Sequence, residues 1–238
     1  MTDPATFRIK LFADGANRAD ILRLYTDPAI RGFTTNPTLM AKAGIRDYRA
    51  FAIDILQAIP DRPVSFEVFA DEFSGMERQA HEIAAWGENV YVKIPITNTR
   101  QESAAPLIAS LSHAGVRLNI TAILTLDQVR ESARALEGGA PSFVSVFAGR
   151  IADTGRDPIP FMSEALEILR SDPAMQLIWA SPREVLNIVQ AECIGCHIIT
   201  ATPDILAKLP LLGRNLAAYS LETVRMFYND AARSGFEL

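Results

Sequence analysis

The hydrophobic positions of this chain follow two alternating periods. Short apolar runs rich in β-branched residues predict buried strands, and longer stretches with apolar residues three and four positions apart predict amphipathic helices. The first unit has an apolar run at 9–13 and a helical pattern at 18–25, and the same alternation continues to the last third of the chain. The sequence therefore predicts a series of strand–helix units.

The predicted elements follow from this pattern. Strands are predicted at 9–13, 32–34, 64–68, 89–97, 117–121, 143–147, 177–180 and 197–200. Helices are predicted at 18–25, 39–43, 48–58, 73–84, 103–114, 158–170 and 221–232, with others opening near 125, 181 and 202. Thr125 and Gln128 have the spacing of a capping box. Ser181-Pro182-Arg183-Glu184 offers a serine N-cap, proline at the first helical position and glutamate at the third, which predicts a helix start.

Eight strands joined to helices by short loops favour a closed (β/α)₈ barrel, the TIM barrel. The alternative is an open, doubly wound sheet, but no glycine-rich phosphate loop follows the first strand. A chain of 238 residues with 49% hydrophobic content is long enough for one large core. We therefore predict a single barrel domain over 1–238, with a C-terminal helix at about 221–238.

Composition narrows the classes of partner. The net charge of −5 and the absence of a basic stripe argue against nucleic acid as the main partner. No signal peptide and no apolar run long enough to span a membrane is visible, so we expect a cytoplasmic protein. The two cysteines, Cys193 and Cys196, have the spacing of a redox or metal motif without its usual context. We interpret them as small residues packed before a strand.

The most unusual position is Lys93, near the end of the apolar run Val90-Tyr91-Val92-Lys93-Ile94-Pro95. A cation in an apolar strand is costly unless it is paired or neutral. A desolvated lysine loses its proton more easily and then attacks carbonyl carbon. The alternative is a lysine that extends from the strand end into solvent.

Other polar residues follow the strands at the same predicted rim of the barrel, where active sites of this fold lie. These candidates are Asp14, Asn36, Glu67, Lys93, Asn119, Thr121, Ser145, Arg150, Ser181 and Arg183. Each alone has a structural explanation as a cap, a turn residue or a solvated charge. Their coincidence at one rim favours a catalytic site.

The chemistry that these residues fit is covalent. A neutral Lys93 forms an imine with a ketone, and the imine accepts electrons when the neighbouring C–C bond breaks. Glu67, with a water held by Thr121, is suited to the proton transfers at oxygen, and Asp14 to the hydroxyl that becomes a carbonyl. Arg150, Ser181 and Arg183 suggest a phosphate site beside a helix start. This chemistry needs no metal or other cofactor.

Several motifs together resemble the transaldolase family over about residues 8–210. They are Leu11-Phe12-Ala13-Asp14, Gly32-Phe33-Thr34-Thr35-Asn36-Pro37-Thr38, Val92-Lys93-Ile94-Pro95, Asn119-Ile120-Thr121, Gly149-Arg150-Ile151 and Ala180-Ser181-Pro182-Arg183. The resemblance implies a (β/α)₈ barrel and transfer of a dihydroxyacetone unit between sugar phosphates. It also implies a homo-oligomer, a pentamer or decamer, in which the final helix packs on a neighbouring subunit.

The resemblance assigns roles residue by residue. It makes Lys93 the imine-forming lysine, Glu67 the acid/base, Thr121 the residue that positions water, and Asp14 the base for C–C cleavage. It places Asn36 and Asn119 on the dihydroxyacetone hydroxyls, Ser145 near the substrate, and Arg150, Ser181 and Arg183 on the phosphate. Pro182 departs from the aromatic residue often found at its position.

Two alternatives remain open. The related fructose 6-phosphate aldolase type, which releases free dihydroxyacetone, carries glutamine at the position of Glu67 and tyrosine at that of Phe147. It also lacks the asparagine seen here as Asn119, so these three positions favour transfer. The other alternative is a barrel without catalytic activity that binds a sugar phosphate or serves as an assembly subunit.

Overall fold

The computed structural model describes residues 7–237, which fold into a closed barrel of eight parallel strands in chain order. The strands are β1 (Lys10–Asp14), β2 (Ile30–Thr34), β3 (Val64–Glu67), β4 (Val90–Pro95), β5 (Leu118–Ile123), β6 (Ser142–Val146), β7 (Met175–Trp179) and β8 (Ile198–Ala201). Because β1 pairs with β8, with Lys10 opposite Ile198, the sheet has closed on itself. The predicted (β/α)₈ barrel is confirmed, and the open sheet is wrong.

Eleven helices connect and flank the described strands. They are α1 (Arg18–Tyr25), α2 (Pro37–Lys42), α3 (Tyr48–Ala58), α4 (Phe73–Ala84), α5 (Ala105–His113), α6 (Leu126–Leu136), α7 (Ala148–Asp153), α8 (Pro158–Leu169), α9 (Leu186–Cys193), α10 (Pro203–Leu206) and α11 (Leu216–Ser234). The predicted capping box is present, with the Thr125 side chain and the Gln128 side chain each bonding the other's backbone. Most predicted bounds agree with the structure to within three residues.

Two hydrophobic layers hold the barrel together. One lies between the strands and the helices, where residues such as Val92 and Ile94 of β4 are fully buried. The other fills the barrel and is built around Phe12, Phe143 and Ile178. A side chain at Gly32 would place Cβ 2.5 Å from the Phe12 ring, so glycine at this position makes room for that ring.

The predicted helix start at Ser181 is wrong. Ser181 has φ of 60°, in the left-handed region, and α9 begins only at Leu186. The side-chain oxygen of Asn187 accepts hydrogen bonds from the backbone N–H groups of Arg183 (2.8 Å) and Glu184 (3.2 Å). These amides are therefore already occupied, and they are not the free helix-start donors that the sequence pattern suggested.

The final helix has an unusual position. After β8, only the four-residue α10 and a short 3₁₀ turn at Leu209–Leu211 follow the barrel, and α11 begins at Leu216, five residues before its predicted start. Every residue of α11 is exposed or half-exposed, including Val224 (60%) and Phe227 (63%). The helix therefore does not contribute to the core of its own barrel.

The two cysteines occupy different environments. Cys196 is buried before β8, and burial raises the pKa of its thiol to about 12. Its single S–H lies within hydrogen-bond distance of two carbonyl oxygens, those of Leu177 (3.6 Å) and Ile198 (3.4 Å). This confirms the packing interpretation for Cys196. For Cys193 that interpretation is wrong, because this residue at the end of α9 is exposed. Within residues 7–237, no helix is both long and apolar enough to cross a membrane.

Candidate active site

Lys93 lies inside the barrel near the carboxyl end of β4. Its neighbours Val92 and Ile94 point to the helices, so the alternation of the strand turns Lys93 inward, where only 7% of its surface is exposed. Its Nζ lies 3.2 Å from Oε2 of Glu67 and donates a hydrogen bond of 3.2 Å to the carbonyl oxygen of Thr35. The alternative of a lysine that extends into solvent is therefore wrong.

The backbone of Glu67 is fixed by strand pairing and by the hydroxyl of Tyr48. It ends β3 in register with Lys93 on β4. The hydroxyl of Tyr48 donates to the Glu67 carbonyl oxygen (2.7 Å) and accepts from the Glu67 N–H (2.8 Å). Burial raises the pKa of Tyr48, which keeps its hydroxyl protonated as the donor. Sequence reasoning missed Tyr48, because it reads only as the first residue of a helix.

Asp14 is the second carboxylate of the site. Its Oδ1 accepts a hydrogen bond of 2.7 Å from the Thr34 hydroxyl, which lies 2.6 Å from the hydroxyl of Thr200. Because Thr34 gives its proton to Asp14, Thr200 is left to donate to Thr34. Burial raises the pKa of Asp14, and the positive charge of Lys93 and the Thr34 hydrogen bond oppose that shift. Neither threonine was among the sequence candidates.

A buried amide network lies beside the lysine. Asn119 is fully buried and in register with Lys93 on the neighbouring strand. It donates through Nδ2 to the Ser65 hydroxyl (3.0 Å) and accepts through Oδ1 from Ser145 (2.7 Å). The amide orientation is thereby fixed. The structure thus brings together the two sequence candidates Asn119 and Ser145, and it adds Ser65 as a partner that the sequence did not reveal.

Thr121 has a buried hydroxyl that finds no hydrogen-bond partner within residues 7–237. A buried polar atom without a protein partner is uncommon, so this hydroxyl has its hydrogen-bonding capacity unused by the described chain. The next residue, Ala122, has φ of 60°, and the pairing of β5 with β6 shifts at this point. Such strained bulges re-aim neighbouring side chains and are concentrated at functional sites.

Asn36 has a structural role in the described fold. It follows Thr35, whose carbonyl holds Lys93, and its Oδ1 accepts the N–H of Leu39 (2.9 Å) as the N-cap of α2. This is the turn chemistry that its sequence context also allowed. Its Nδ2 donates no hydrogen bond to another residue in 7–237.

The candidate anion residues gather at the rim after β6 and β7. Arg150 lies on α7, a helix that the sequence did not predict, and its guanidinium stands 5.3 Å from the Phe147 ring centre. Arg183 is paired with Asp153, the last residue of α7, and its Nε donates to Oδ1 of Asp153 at 3.0 Å. The pairing of Arg183 with Asp153 removes part of the positive charge expected here.

Gly149 brings this rim together. Its N–H lies 3.4 Å from the Ala180 carbonyl oxygen, and α7 approaches the Ser181 backbone so closely that there is no space for a side chain. Sequence reasoning quoted Gly149 within a motif without giving it a function. The glycine allows Arg150, Ser181 and Arg183 to lie on adjacent segments.

The arrangement as a whole joins a buried amine to one carboxylate by direct contact and places a second carboxylate within its electrostatic influence. An amine and two carboxylates in this arrangement are chemically suited to imine formation, with one carboxylate able to transfer protons on each side of a ketone. Among residues 7–237, no group of three or more His, Cys, Asp or Glu side chains is placed to hold a metal ion.

Comparisons with known proteins show which family the chain resembles. The family model "Transaldolase/Fructose-6-phosphate aldolase" matches residues 11–238. A "Probable transaldolase" of Dehalococcoides mccartyi is 36% identical over 215 residues, which is 89% of this chain and 96% of the relative. Another, from Mesorhizobium japonicum, is 35% identical over 217 residues, which is 89% of this chain and 94% of the relative.

Solved structures of lower sequence identity share the fold alone. KGPDC from Streptococcus mutans superposes with a TM-score of 0.55 at 11% identity, covering 83% of this chain and 89% of that one. A 2,3-dimethylmalate lyase superposes with a TM-score of 0.52 at 13% identity, covering 98% of this chain and 86% of that one.

Because the backbone of Ser181 lies so close to Gly149, we predict that adding one methyl group at Gly149 lowers the stability of the fold. A Cβ at this position would lie 1.6 Å from the Ser181 carbonyl oxygen, so the backbone must move. We expect Gly149→Ala to lower the free energy of unfolding by about 3 kcal/mol, measured by urea denaturation. Gly15→Ala is the matched control, since a Cβ there meets nothing within 4 Å. Equal stability of the two variants would contradict the prediction.

The half-buried Asp14 carboxylate, whose pKa desolvation raises, predicts a pH-dependent cost in stability. Because its folded pKa is raised above 3.8, the folded state binds more protons than the unfolded state between the two values, and stability falls as pH rises through that window. We expect Asp14→Asn, which retains an acceptor for Thr34, to raise Tm at pH 7. The gain should shrink as pH falls toward 4.

Thermal unfolding across this pH range measures the effect. Glu88→Gln, at an exposed carboxylate, is the control for a simple loss of negative charge. A lower Tm of Asp14→Asn at pH 7, or a Tm difference that does not change with pH, would show that ionised Asp14 does not destabilise the fold.

Proposed function

The chain belongs to the transaldolase/fructose-6-phosphate aldolase family, and we propose that it is a transaldolase that acts through an imine on Lys93. It moves a dihydroxyacetone unit from a ketose phosphate, such as fructose 6-phosphate or sedoheptulose 7-phosphate, to an aldose phosphate. The observation that carries this proposal is the contact of 3.2 Å between the buried Lys93 amine and Glu67. We expect the reaction to take place in the cytoplasm.

Imine formation uses Lys93 and Glu67 in turn. Glu67 takes one proton from the Lys93 ammonium and gives it to the ketone oxygen as the free amine attacks the ketone carbon, which forms a carbinolamine. Glu67 then takes a second proton from nitrogen and gives it to the carbinolamine hydroxyl, which leaves as water. The C=N bond forms with one proton still on nitrogen, so the product is a protonated imine. Thr121 is suited to hold this water, because its buried hydroxyl has no partner among the described residues.

Carbon–carbon cleavage uses Asp14. Asp14 removes the proton of the hydroxyl next to the breaking bond, that C–O becomes the carbonyl of the departing aldose, and the bonding electrons move to the imine nitrogen. The enamine left on Lys93 then attacks the acceptor aldehyde by the reverse steps. A carboxyl whose pKa is raised by burial is suited to carry and return this proton.

Substrate binding is divided between two regions. We assign the hydroxyls of the dihydroxyacetone unit to Asn36 and Asn119, with Ser145 fixing the Asn119 amide. We assign the phosphate to Arg150, Ser181 and Arg183 at the rim. Because Arg183 is shared with Asp153, Arg150 supplies the larger part of the free positive charge.

Transfer is favoured over simple cleavage by three residues. Glu67, Asn119 and Phe147 differ from the residues of the fructose 6-phosphate aldolase type, and Glu67 and Asn119 lie at or beside the lysine. Phe147 carries no hydroxyl to deliver a proton to the enamine, so the dihydroxyacetone unit is retained until an acceptor aldehyde arrives.

Reductive trapping tests the chemistry. Sodium borohydride added with fructose 6-phosphate should fix the dihydroxyacetone unit on Lys93, and peptide mass spectrometry locates the modified residue. Lys93→Ala should abolish trapping, and Lys42→Ala, at an exposed lysine of α2, should leave it unchanged. Trapping at another lysine would refute the role of Lys93. Release of free dihydroxyacetone without any gain in turnover from erythrose 4-phosphate would identify an aldolase instead.

We also propose that α11 packs on a neighbouring copy in a homo-oligomer. A helix of 19 residues without burial on its own barrel is marginal in water, and its exposed apolar residues form a surface that monomers rarely show. The double variant Val224→Asp/Phe227→Asp should reduce the mass measured by light scattering to that of one chain. Asn229→Asp adds a charge at a polar position and is the control. A monomeric wild type, or an unchanged mass in the double variant, would refute this assembly.

A further inference from the structure

A cavity of about 440 Å³ opens at the amino-terminal mouth of the barrel, at the opposite end from Lys93. Its walls come from the first residues of several strands, including Lys10 of β1, Tyr91 of β4 and Gln176 of β7. The volume is in the range of pockets that hold small organic ligands. The proposed catalytic reaction does not use this cavity.

The cavity is cationic in a chain whose net charge is −5. Lys10, Arg31 and Arg62 line it, and none of the three forms an ion pair with another residue in 7–237. Asp61 is the one carboxylate among the described lining residues, and it accepts a hydrogen bond of 2.7 Å from the Tyr25 hydroxyl. The mouth therefore carries two more cations than carboxylates.

Arg31 reaches this mouth because of a bulge in β2. Leu11 of β1 lies opposite Ile30, and the next residue, Phe12, lies opposite Gly32. Arg31 is thus the extra residue of the bulge, and bulges redirect the side chain that they insert. A redirected, exposed arginine without an ion pair in the described chain is available to a ligand.

The other two cations are held in place by neutral groups. The Arg62 guanidinium lies 4.5 Å from the Tyr25 ring centre, and its Nη1 donates to the Asp27 carbonyl oxygen (3.1 Å). The Lys10 ammonium donates to Oε1 of Gln176 (3.1 Å). Both side chains keep their full charge and further N–H donors after these contacts, so little reorganisation is needed to bind an anion.

The floor of the cavity is aromatic. The rings of Tyr91 and Phe143 stack at 3.9 Å with planes 9° apart, and Phe12 meets Phe143 edge-on at 5.7 Å. A flat, apolar part of a ligand would rest on this floor, while its charged end faces the cations at the rim.

We propose that the amino-terminal mouth is a second ligand site, and that it binds a small phosphate monoester with a flat apolar body. The excess of two cations matches a phosphate dianion, and arginine donors are arranged in pairs that fit phosphate oxygens. The aromatic floor gives the site a preference for a ring-bearing ester over inorganic phosphate.

Calorimetric titration with phenyl phosphate tests this site. The protein titrated is the double variant Arg150→Ala/Arg183→Ala. It lacks the arginines of the proposed active-site phosphate region, and its amino-terminal mouth is unchanged. In this background we expect one equivalent of phenyl phosphate to bind. Adding Arg31→Ala/Arg62→Ala should weaken binding by about tenfold or more, since two charge-assisted contacts are lost. Adding Arg134→Ala, at an exposed arginine on α6, is the matched control and should leave affinity unchanged.

Three results would overturn the proposal. The first is that phenyl phosphate does not bind to the Arg150→Ala/Arg183→Ala protein. The second is that adding Arg31→Ala/Arg62→Ala weakens binding no more than adding Arg134→Ala does, and the third is that inorganic phosphate binds as tightly as phenyl phosphate. Circular dichroism melts test whether each variant is folded. If Arg31→Ala/Arg62→Ala is unstable, the single variant Arg31→Gln, at the exposed bulge, replaces it in the titration. These titrations do not depend on imine formation at Lys93, so their outcome is independent of the borohydride trapping experiment.

Discussion

The structure depends on accommodating one amine inside a barrel of hydrocarbon. Lys93 is surrounded by strands whose other faces are fully buried, so its charge or its lone pair must be matched locally. Glu67 and the Thr35 carbonyl supply that match, and both lie at the carboxyl ends of neighbouring strands. Closure of the barrel fixes these strand ends relative to one another, which makes the register of β2, β3 and β4 the first requirement of the site.

Supporting hydrogen bonds keep Glu67 and Asp14 in position, and the burial of Asp14 has a cost in stability. Tyr48 binds both backbone groups of Glu67 and so fixes the backbone from which the carboxylate extends to Lys93. Asp14 is held by Thr34, which in turn accepts from Thr200. A carboxyl with a pKa raised by burial destabilises the fold when it is ionised, and this is the usual balance between stability and catalytic function.

Sequence reasoning predicted the barrel and placed Glu67 at the same rim as Lys93, because alternation and strand-end position are local properties of the chain. It failed where distant residues decide the local structure. Ser181 has every local signal of a helix start, but the Asn187 side chain takes the amides that such a helix would leave free. The six-residue α7 is too short to show a period, and Tyr48 gains its importance only from contact with Glu67, 19 positions away.

The two ends of the barrel differ because a layer of aromatic rings separates them. Phe12, Phe143 and Tyr91 pack against one another inside the barrel, on the amino-terminal side of the lysine. This layer gives the amine its low-dielectric surroundings and at the same time forms the floor of the cationic cavity on the other side. The same rings therefore serve both mouths of the barrel, because they pack beneath the site of Lys93 on one side and line the cationic cavity on the other.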